Sequence, residues 1–234
     1  AVWYDGVSPK GSIYCDIVTK LRIGADVGIS ASVLCITRQL EAIASARTAS
    51  YSAGDRRRRR IVDFAIGFGL PCLVMILHTI VQGHRYDILE RVGCIPSTYW
   101  SLPAIILVIL WPLVLNAIAA VYAVLAMRLF IARRYQFARI LEASKSAVST
   151  SRFIRLMALS SIQLGYAIPV TLAFRILQFT DVPLQPYTSW QNVHYGFDYV
   201  GTVTLEQFDM YPKSYRQISE LSQWAYAISC ADLS

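Results

Sequence analysis

Long apolar runs separated by polar segments are the first feature of the sequence. The longest extends from Ile95 to Met127, and none of its 33 residues carries a charge. A transmembrane helix needs about 20 apolar residues in a row, whereas strands and helices of a soluble core are shorter. Tyr99 and Trp100 stand near one end, as aromatic side chains do at a membrane interface, and Arg128 follows the other end. We therefore predict a bundle of membrane helices organised around this one.

Other apolar runs predict further helices, so that the chain holds four complete helices and the start of a fifth. Their limits are about residues 15–37, 62–82, 99–127, 153–176 and 218–234. In the first helix, Arg22 and Asp26 lie four residues apart and can pair on one face. Charges at membrane depth are typical of a functional interior, with a buried structural pair between helices as the alternative. Gly24, Gly28 and Ser32 predict a small-residue face that another helix can approach closely.

Lysine and arginine are distributed unevenly between the segments that join these helices. Residues 38–60 carry seven of the 22 and residues 128–155 carry seven more, whereas residues 83–98 carry two. Positively charged residues concentrate in cytoplasmic loops. This distribution predicts cytoplasmic loops at 38–61 and 128–152, and outer loops at 1–14, 83–98 and 177–217.

Composition also favours a membrane protein, because 55% of the residues are hydrophobic and 16% are charged, against about 25% charged in soluble domains. The net charge is +7, and the run Arg56–Arg60 ends just before the apolar residues that start at Val62. This position favours a topogenic anchor that also contacts anionic membrane lipid. A docking surface for a cytosolic partner is the alternative, and no nucleic-acid partner is expected. Because the chain starts without Met and stops inside an apolar stretch, we expect an interior fragment of a longer protein.

Two cysteines are predicted to lie on the outer side of the membrane, where oxidising conditions allow a disulfide. These are Cys15 at the top of the first helix and Cys94 in the loop before the third helix, and a bridge between them is expected where the geometry allows it. Cys35, Cys72 and Cys230 fall within or near the bilayer and are interpreted as small apolar residues.

Metal and catalytic sites are not predicted. His78 and His84 are six residues apart, which matches no strong zinc pattern, and no cluster of cysteine and histidine accompanies them. The sequence has no Gly-rich phosphate loop, no Ser/His/Asp arrangement and no paired acids in a plausible cleft. Neither an enzyme nor a cofactor is therefore expected.

Six strings of the sequence carry a resemblance. The most specific is His78-Thr-Ile-Val-Gln-Gly-His-Arg-Tyr-Asp-Ile-Leu-Glu-Arg-Val-Gly-Cys-Ile-Pro96. The others cover residues 15–20, 36–40, 133–137, 151–157 and 189–194. Taken in the order in which they occur along the chain, these six strings resemble the a-factor-type mating-pheromone receptors of fungi, especially basidiomycetes. Those receptors are class D G-protein-coupled receptors. Tyr14 stands where that family often has Trp, and Phe153 stands where Tyr is common.

The resemblance implies an all-α membrane protein with a seven-transmembrane-helix receptor bundle, of which this chain covers about helices 3 to 6 and the start of 7. It further implies a multi-pass protein of the plasma membrane that senses a lipidated peptide mating pheromone and activates a heterotrimeric G protein. A polytopic membrane transporter and a membrane-embedded enzyme are the rival hypotheses.

The same topology and resemblance suggest the residues that carry each role. The expected ligand-binding residues lie in the first helix and two outer loops: Asp16, Lys20, His84, Arg85, Asp87, Trp190 and His194. Arg85 is expected to hold either a ligand carbonyl or Asp87. The alternative is that His84, Arg85 and Asp87 only bond to one another and shape the loop. The expected G-protein contacts lie at the inner helix ends: Arg38, Arg133, Arg134, Arg152 and Arg155.

Overall fold

Three membrane-spanning candidates dominate the protein. The computed structural model describes residues 12–45, 47, 51–90, 92–133, 154–162, 164–165, 168–169, 172–173, 183–204, 206–207 and 210. Within these residues, three helices are long and apolar enough to cross a membrane: α1 at Ser12–Ala44, α2 at Ala53–Val81 and α3 at Leu102–Ala132. Residues 154–162 are also helical and fall in the predicted helix 153–176. The predicted helix 218–234 lies outside the described residues.

Helix α1 is longer at both ends than the predicted helix 15–37. It continues to Ala44, so Arg38 lies in a helix rather than at the start of a loop. The extension is amphipathic, because Leu40, Ile43 and Ala44 are buried in an apolar cluster with Ala126 of α3 and Met157. A hydropathy pattern misses this end because Arg38, Gln39 and Glu41 are polar, although residues 40–44 are all buried.

Helix α2 starts well before the predicted limit at residue 62. Its N-cap is Ser52, whose hydroxyl accepts a hydrogen bond from the Asp55 backbone N–H, while the Asp55 carboxylate accepts one from the Ser52 backbone N–H. This reciprocal capping satisfies N–H groups that a helix start leaves without partners. The arginines Arg56–Arg60 therefore lie in the first turns of α2 and not in the predicted loop 38–61.

Helices α2 and α3 each contain one wide turn. The π-helical segments are Ala65–Gly69 in α2 and Ile105–Ile109 in α3, where Leu110–Arg133 then continues as α-helix. A proline follows each wide turn, Pro71 in α2 and Pro112 in α3. Local π adjustments of this kind accommodate prolines in membrane helices, because proline has no N–H to donate.

A small sheet lies outside the helices and adds to the predicted all-α architecture. Its strands are β1 at Tyr86–Leu89, β2 at Gly93–Ile95 and β3 at Val200–Val203, in the spatial order β2-β1-β3. Strands β1 and β2 form an antiparallel hairpin in which Ile88 faces Cys94. Strand β3 pairs in parallel with β1, with Tyr86 opposite Val200. The predicted outer loops 83–98 and 177–217 are therefore joined through backbone hydrogen bonds.

The described residues gather into two compact units. Unit 1 comprises the described parts of Ala1–Val27, Pro71–Trp111 and Val170–Ala227. Unit 2 comprises the described parts of Gly28–Leu70, Pro112–Pro169 and Ile228–Ser234. The sheet belongs to unit 1, and the apolar cluster around Leu40 belongs to unit 2.

Within unit 1, α1 and α2 approach closely at Gly24. A Cβ atom at this position would lie 2.7 Å from the Sδ atom of Met75 in α2. Such a distance leaves no room for a side chain unless Met75 moves. The small-residue face predicted for α1 is therefore used at Gly24, where the thioether of a neighbouring helix packs on the backbone.

Candidate functional site

A disulfide between Cys15 and Cys94 fastens the hairpin to α1. The two Cα atoms are 5.4 Å apart, within the usual range for a bridge. Both cysteines belong to a buried cluster with Tyr86 and Ile88, which are 1% and 0% exposed. Covalent and apolar contacts thus hold β1 and β2 against the N-terminal end of α1.

The candidate ligand residues Arg85 and Asp16 form a two-point ion pair. Arg85 donates from Nε to Oδ1 of Asp16 at 2.8 Å and from Nη2 to Oδ2 at 2.6 Å. These hydrogen bonds, together with the carboxylate charge, raise the pKa of Arg85 further above its ordinary value. Arg85 therefore bonds to Asp16 and not to Asp87, one of the two partners expected from the sequence, because α1 offers it a better placed carboxylate. Only two of its five N–H groups are used by Asp16, and the side chain is 34% exposed.

His84 and Asp87 form a second pair beside the sheet. Nε2 of His84 lies 2.7 Å from Oδ1 of Asp87, and Nδ1 lies 2.9 Å from the hydroxyl of Ser97. The ring of Tyr199 contacts His84 edge-on, with the ring centroids 5.6 Å apart. Gly201 in β3 lies so close that a Cβ atom there would be in steric overlap with the Asp87 carboxylate. The pair therefore ties the hairpin to the segment that carries β3.

Lys20 lies in a polar cluster formed by α1 and the end of α2. Its ammonium nitrogen is 3.2 Å from Nδ1 of His78, 3.2 Å from the hydroxyl of Thr79 and 2.6 Å from Oε1 of Gln82. Because an ammonium group only donates, Nδ1 of His78 must accept, and Nε2 carries the proton that faces Thr98 at 3.0 Å. The three protons of Lys20 are matched by three protein acceptors, so a ligand would have to replace one of them.

Trp190 and His194 stack on each other in the short helix α4 (Trp190–Val193) and the residue after it. Their ring centroids are 3.9 Å apart. Nδ1 and Nε2 of His194 lie 2.9 Å from the carbonyl oxygens of Trp190 and Thr79 respectively. Carbonyl oxygens only accept, so both hydrogen bonds form together only when the imidazole carries two protons. Trp190 is 53% exposed.

The seven candidate ligand residues thus form three pairs and one cluster within unit 1. Thr79 links two of these groups, since its hydroxyl contacts Lys20 and its carbonyl contacts His194. Reasoning from sequence missed the roles of His78, Gln82 and Ser97. A signal for two of them exists: His78 and Gln82 are polar residues four apart at the end of an apolar helix, where they face a charged residue of α1.

A substitution tests the close approach at β3. Gly201→Ala should lower the surface amount of the full-length protein about threefold, because the methyl group would push Asp87 away and weaken the pairing of β1 with β3. Flow cytometry of an epitope-tagged protein measures this amount. Thr202→Ala, next to it in β3, is the matched control and should be close to wild type. The clash explanation fails if adding Asp87→Ala to Gly201→Ala brings no recovery.

The candidate G-protein residues are distributed over separate helix ends. Arg38 in α1 forms an ion pair with Asp63 in α2. Arg133 ends the α-helical segment Leu110–Arg133, one residue beyond the spanning range of α3, and Arg155 lies exposed at the start of the helical residues 154–162. Arg134 and Arg152 lie outside the described residues. Over the described part of the chain, no group of three histidine, cysteine or acidic side chains gathers as a metal site would require.

Comparison with known proteins gives one consistent family. The description "STE3: Pheromone A receptor" matches residues 1–232. The chain is 41% identical over 201 residues to the pheromone B beta 1 receptor of Schizophyllum commune, covering 86% of this chain and 37% of that protein. It is 37% identical over 185 residues to pheromone receptor 2 of Mycosarcoma maydis, covering 79% of this chain and 53% of that protein.

A more distant yeast protein agrees with these two. The chain is 31% identical over 162 residues to the pheromone a factor receptor of Saccharomyces cerevisiae, covering 67% of this chain and 34% of that protein. The chain therefore spans between about a third and about half of the lengths of these three curated relatives. No solved structure matches it. Because the family match covers nearly every residue and includes the helices and both sheet-forming loops, the chain belongs to the STE3 pheromone A receptor family, whose members are seven-transmembrane receptors.

Proposed function

We propose that this chain is part of a plasma-membrane receptor that binds a lipidated peptide mating pheromone and activates a heterotrimeric G protein. The observation that carries the proposal is the family match over residues 1–232. The three spanning helices agree with a multi-pass receptor. The same match favours a receptor over a transporter or a membrane-embedded enzyme, since the curated relatives are pheromone receptors.

The pairs in unit 1 support a peptide ligand. Arg85 keeps unused N–H groups beside Asp16, and Trp190 offers an exposed aromatic side chain. A peptide presents backbone carbonyls and amides that such groups can hydrogen-bond. We propose Asp16, Lys20, His84, Arg85, Asp87, Trp190 and His194 as the ligand-binding set, with Lys20 and the His84–Asp87 pair shaping the site through protein contacts.

The experiment that tests this function uses the full-length receptor in yeast cells that lack their own pheromone receptors. Lipidated peptide should induce a pheromone-responsive reporter, and the same peptide without its lipid should need at least about a hundredfold higher concentration, because each buried CH₂ contributes about 0.8 kcal/mol. Deletion of the Gα subunit should abolish induction. A response that persists without Gα, or that ignores the lipid, contradicts the proposal.

The inner helix ends are the proposed G-protein contact. Arg38, Arg133, Arg134, Arg152 and Arg155 stand in or beside the predicted cytoplasmic loops 38–61 and 128–152. Positive residues there support a cytoplasmic placement. The Arg38–Asp63 ion pair joins α1 to α2, and we propose that Arg38 reaches the G protein only when this pair opens.

Replacing Arg133 and Arg134 together with Gln should lower the maximal reporter response about threefold to fivefold while pheromone binding stays within twofold of wild type. The reason is that a single ion pair at a contact with the G protein is worth under about 1 kcal/mol. Radioligand binding and the reporter are measured on the same cells. Equal loss of binding and signalling would indicate misfolding and remove the support for an inner contact.

A further inference from the structure

A cavity of about 300 Å³ lies within unit 2, where the last turns of α1 meet the start of α2. Its volume is at the small end of the range for ligand sites. Its walls come from one segment of α1, the residue before the N-cap of α2 and the first turns of α2. The lining residues are Arg38, Tyr51, Asp55, Arg58, Arg59 and Val62.

The residues that line this cavity carry net positive charge, because three arginines and one aspartate are among them. Arg38 is held in place by its ion pair with Asp63, and Arg59 by the ring of Tyr51, whose centroid lies 4.6 Å from the guanidinium carbon. Among the residues that the structure describes, neither Arg58 nor Arg59 forms an ion pair. Within the described residues, the cavity therefore offers the guanidinium groups of Arg58 and Arg59, of which Arg58 also interacts electrostatically with Asp55.

The surface next to the cavity changes from charged to apolar within one residue. Arg60 is followed by Ile61, which is 59% exposed, and Phe64 is 70% exposed. Exposed apolar side chains on a membrane helix face acyl chains, so the arginines just before them lie at the depth of the lipid headgroups. Val62 forms part of the cavity wall itself. An anion in this cavity would therefore sit where lipid phosphates are.

We infer that the cavity binds the phosphorylated headgroup of a membrane phospholipid, of the phosphoinositide class. Several phosphates on one headgroup match several guanidinium groups, each of which can bind phosphate oxygens at two points. A single carboxylate headgroup would use only part of this capacity. The inference rests on the proposed cytoplasmic placement of loop 38–61, the side on which anionic headgroups are enriched. Its test does not require pheromone, so it can fail while the receptor function stands.

The arginine run supplies its own matched control. Arg56 and Arg57 are exposed and do not line the cavity, whereas Arg58 and Arg59 do. The double variants R58Q/R59Q and R56Q/R57Q each remove two positive charges from the first turns of α2. Purified full-length receptor is titrated with a short-chain phosphatidylinositol bisphosphate, and the bound lipid is counted by native mass spectrometry. We expect R58Q/R59Q to weaken binding about tenfold or more, from about 1 kcal/mol for each arginine, and R56Q/R57Q to weaken it less than threefold.

Three results would overturn the inference. Equal losses in the two double variants would mean that the run acts as diffuse charge. Phosphatidylserine competing as well as phosphatidylinositol bisphosphate would exclude recognition of a phosphorylated headgroup. Soluble inositol trisphosphate binding as tightly as the lipid would identify a free anion as the occupant.

A second variant covers the case in which R58Q/R59Q does not fold. R58K/R59K keeps the charge and loses two-point binding, so it should bind the lipid several-fold more weakly than wild type. Unchanged binding by R58K/R59K would also overturn the inference.

Discussion

Replacing Cys15 or Cys94 with serine is expected to lower the surface amount of the full-length receptor about tenfold. The bridge joins cysteines 79 residues apart, and a loop of this length corresponds to about 4.5 kcal/mol of chain entropy in the unfolded state. Membrane helices already restrict the two ends, so the realised effect is smaller. Loss of the bridge also releases the hairpin from α1 and places a serine hydroxyl in the buried cluster with Tyr86 and Ile88.

The cysteines of the chain allow a matched design for this test. Cys35 and Cys72 are free thiols that are partly buried, so Cys35→Ser and Cys72→Ser should change the surface amount less than about twofold. The double variant Cys15→Ser/Cys94→Ser should be little worse than either single one, because the first change already breaks the bridge. Flow cytometry of an epitope tag gives the surface amount. Mass spectrometry that finds both thiols free in mature wild-type protein would rule out the bridge.

Arg85→Ala is expected to raise the pheromone concentration for half-maximal response about tenfold, and Asp16→Ala about threefold. Both changes break the two-point ion pair, which is worth about 1 kcal/mol at this exposure. On the proposed function, Arg85→Ala also removes N–H groups that bind the ligand, so its effect is the larger. A dose–response reporter assay with surface amount measured in parallel separates affinity from expression.

Exchanging the two charges distinguishes a ligand contact from scaffolding. In R85D/D16R the ion pair can form again, so a purely structural role predicts recovery of a normal dose response. A ligand-binding role predicts that the tenfold shift remains, because the guanidinium has moved to α1. Arg85→Lys keeps the charge but loses the second hydrogen bond, and it should fall between wild type and Arg85→Ala. An unshifted dose response for Arg85→Ala would leave the loop as scaffolding.

The helices were accessible to sequence reasoning because membrane insertion imposes long apolar runs. The predicted limits of α1 and α2 are wrong where polar or charged residues belong to the helix. Beyond residue 37, α1 carries the polar residues Arg38, Gln39 and Glu41, so the hydropathy pattern predicts a loop although residues 40–44 are buried. The charge of the run Arg56–Arg60 predicts a loop, but the capping interaction at Ser52 starts α2 before this run.

The sheet and the side-chain pairs of the site are harder to predict from the sequence than the helices. Strands of three or four residues leave almost no periodic signal, and the parallel partner of β1 comes from a distant loop. The sequence leaves Asp87 as one of two expected partners of Arg85, but the bridge at Cys94 brings the hairpin to α1 and so to Asp16. Which acid an arginine meets depends on how two segments dock, and local sequence carries no information about it.

The parallel pairing of β1 with β3 also determines when the sheet can be completed during synthesis of the chain. Val200 leaves the ribosome more than 100 residues after its partner Tyr86, an interval on the order of 10 s at about 5–20 residues per second. Throughout that interval the nascent hairpin has one edge without a strand, which is the kind of edge that chaperones protect and other chains can join. The sheet is therefore expected to be completed late, after the helices between these strands have been inserted, and slow insertion of the later helices would prolong the exposure of that edge.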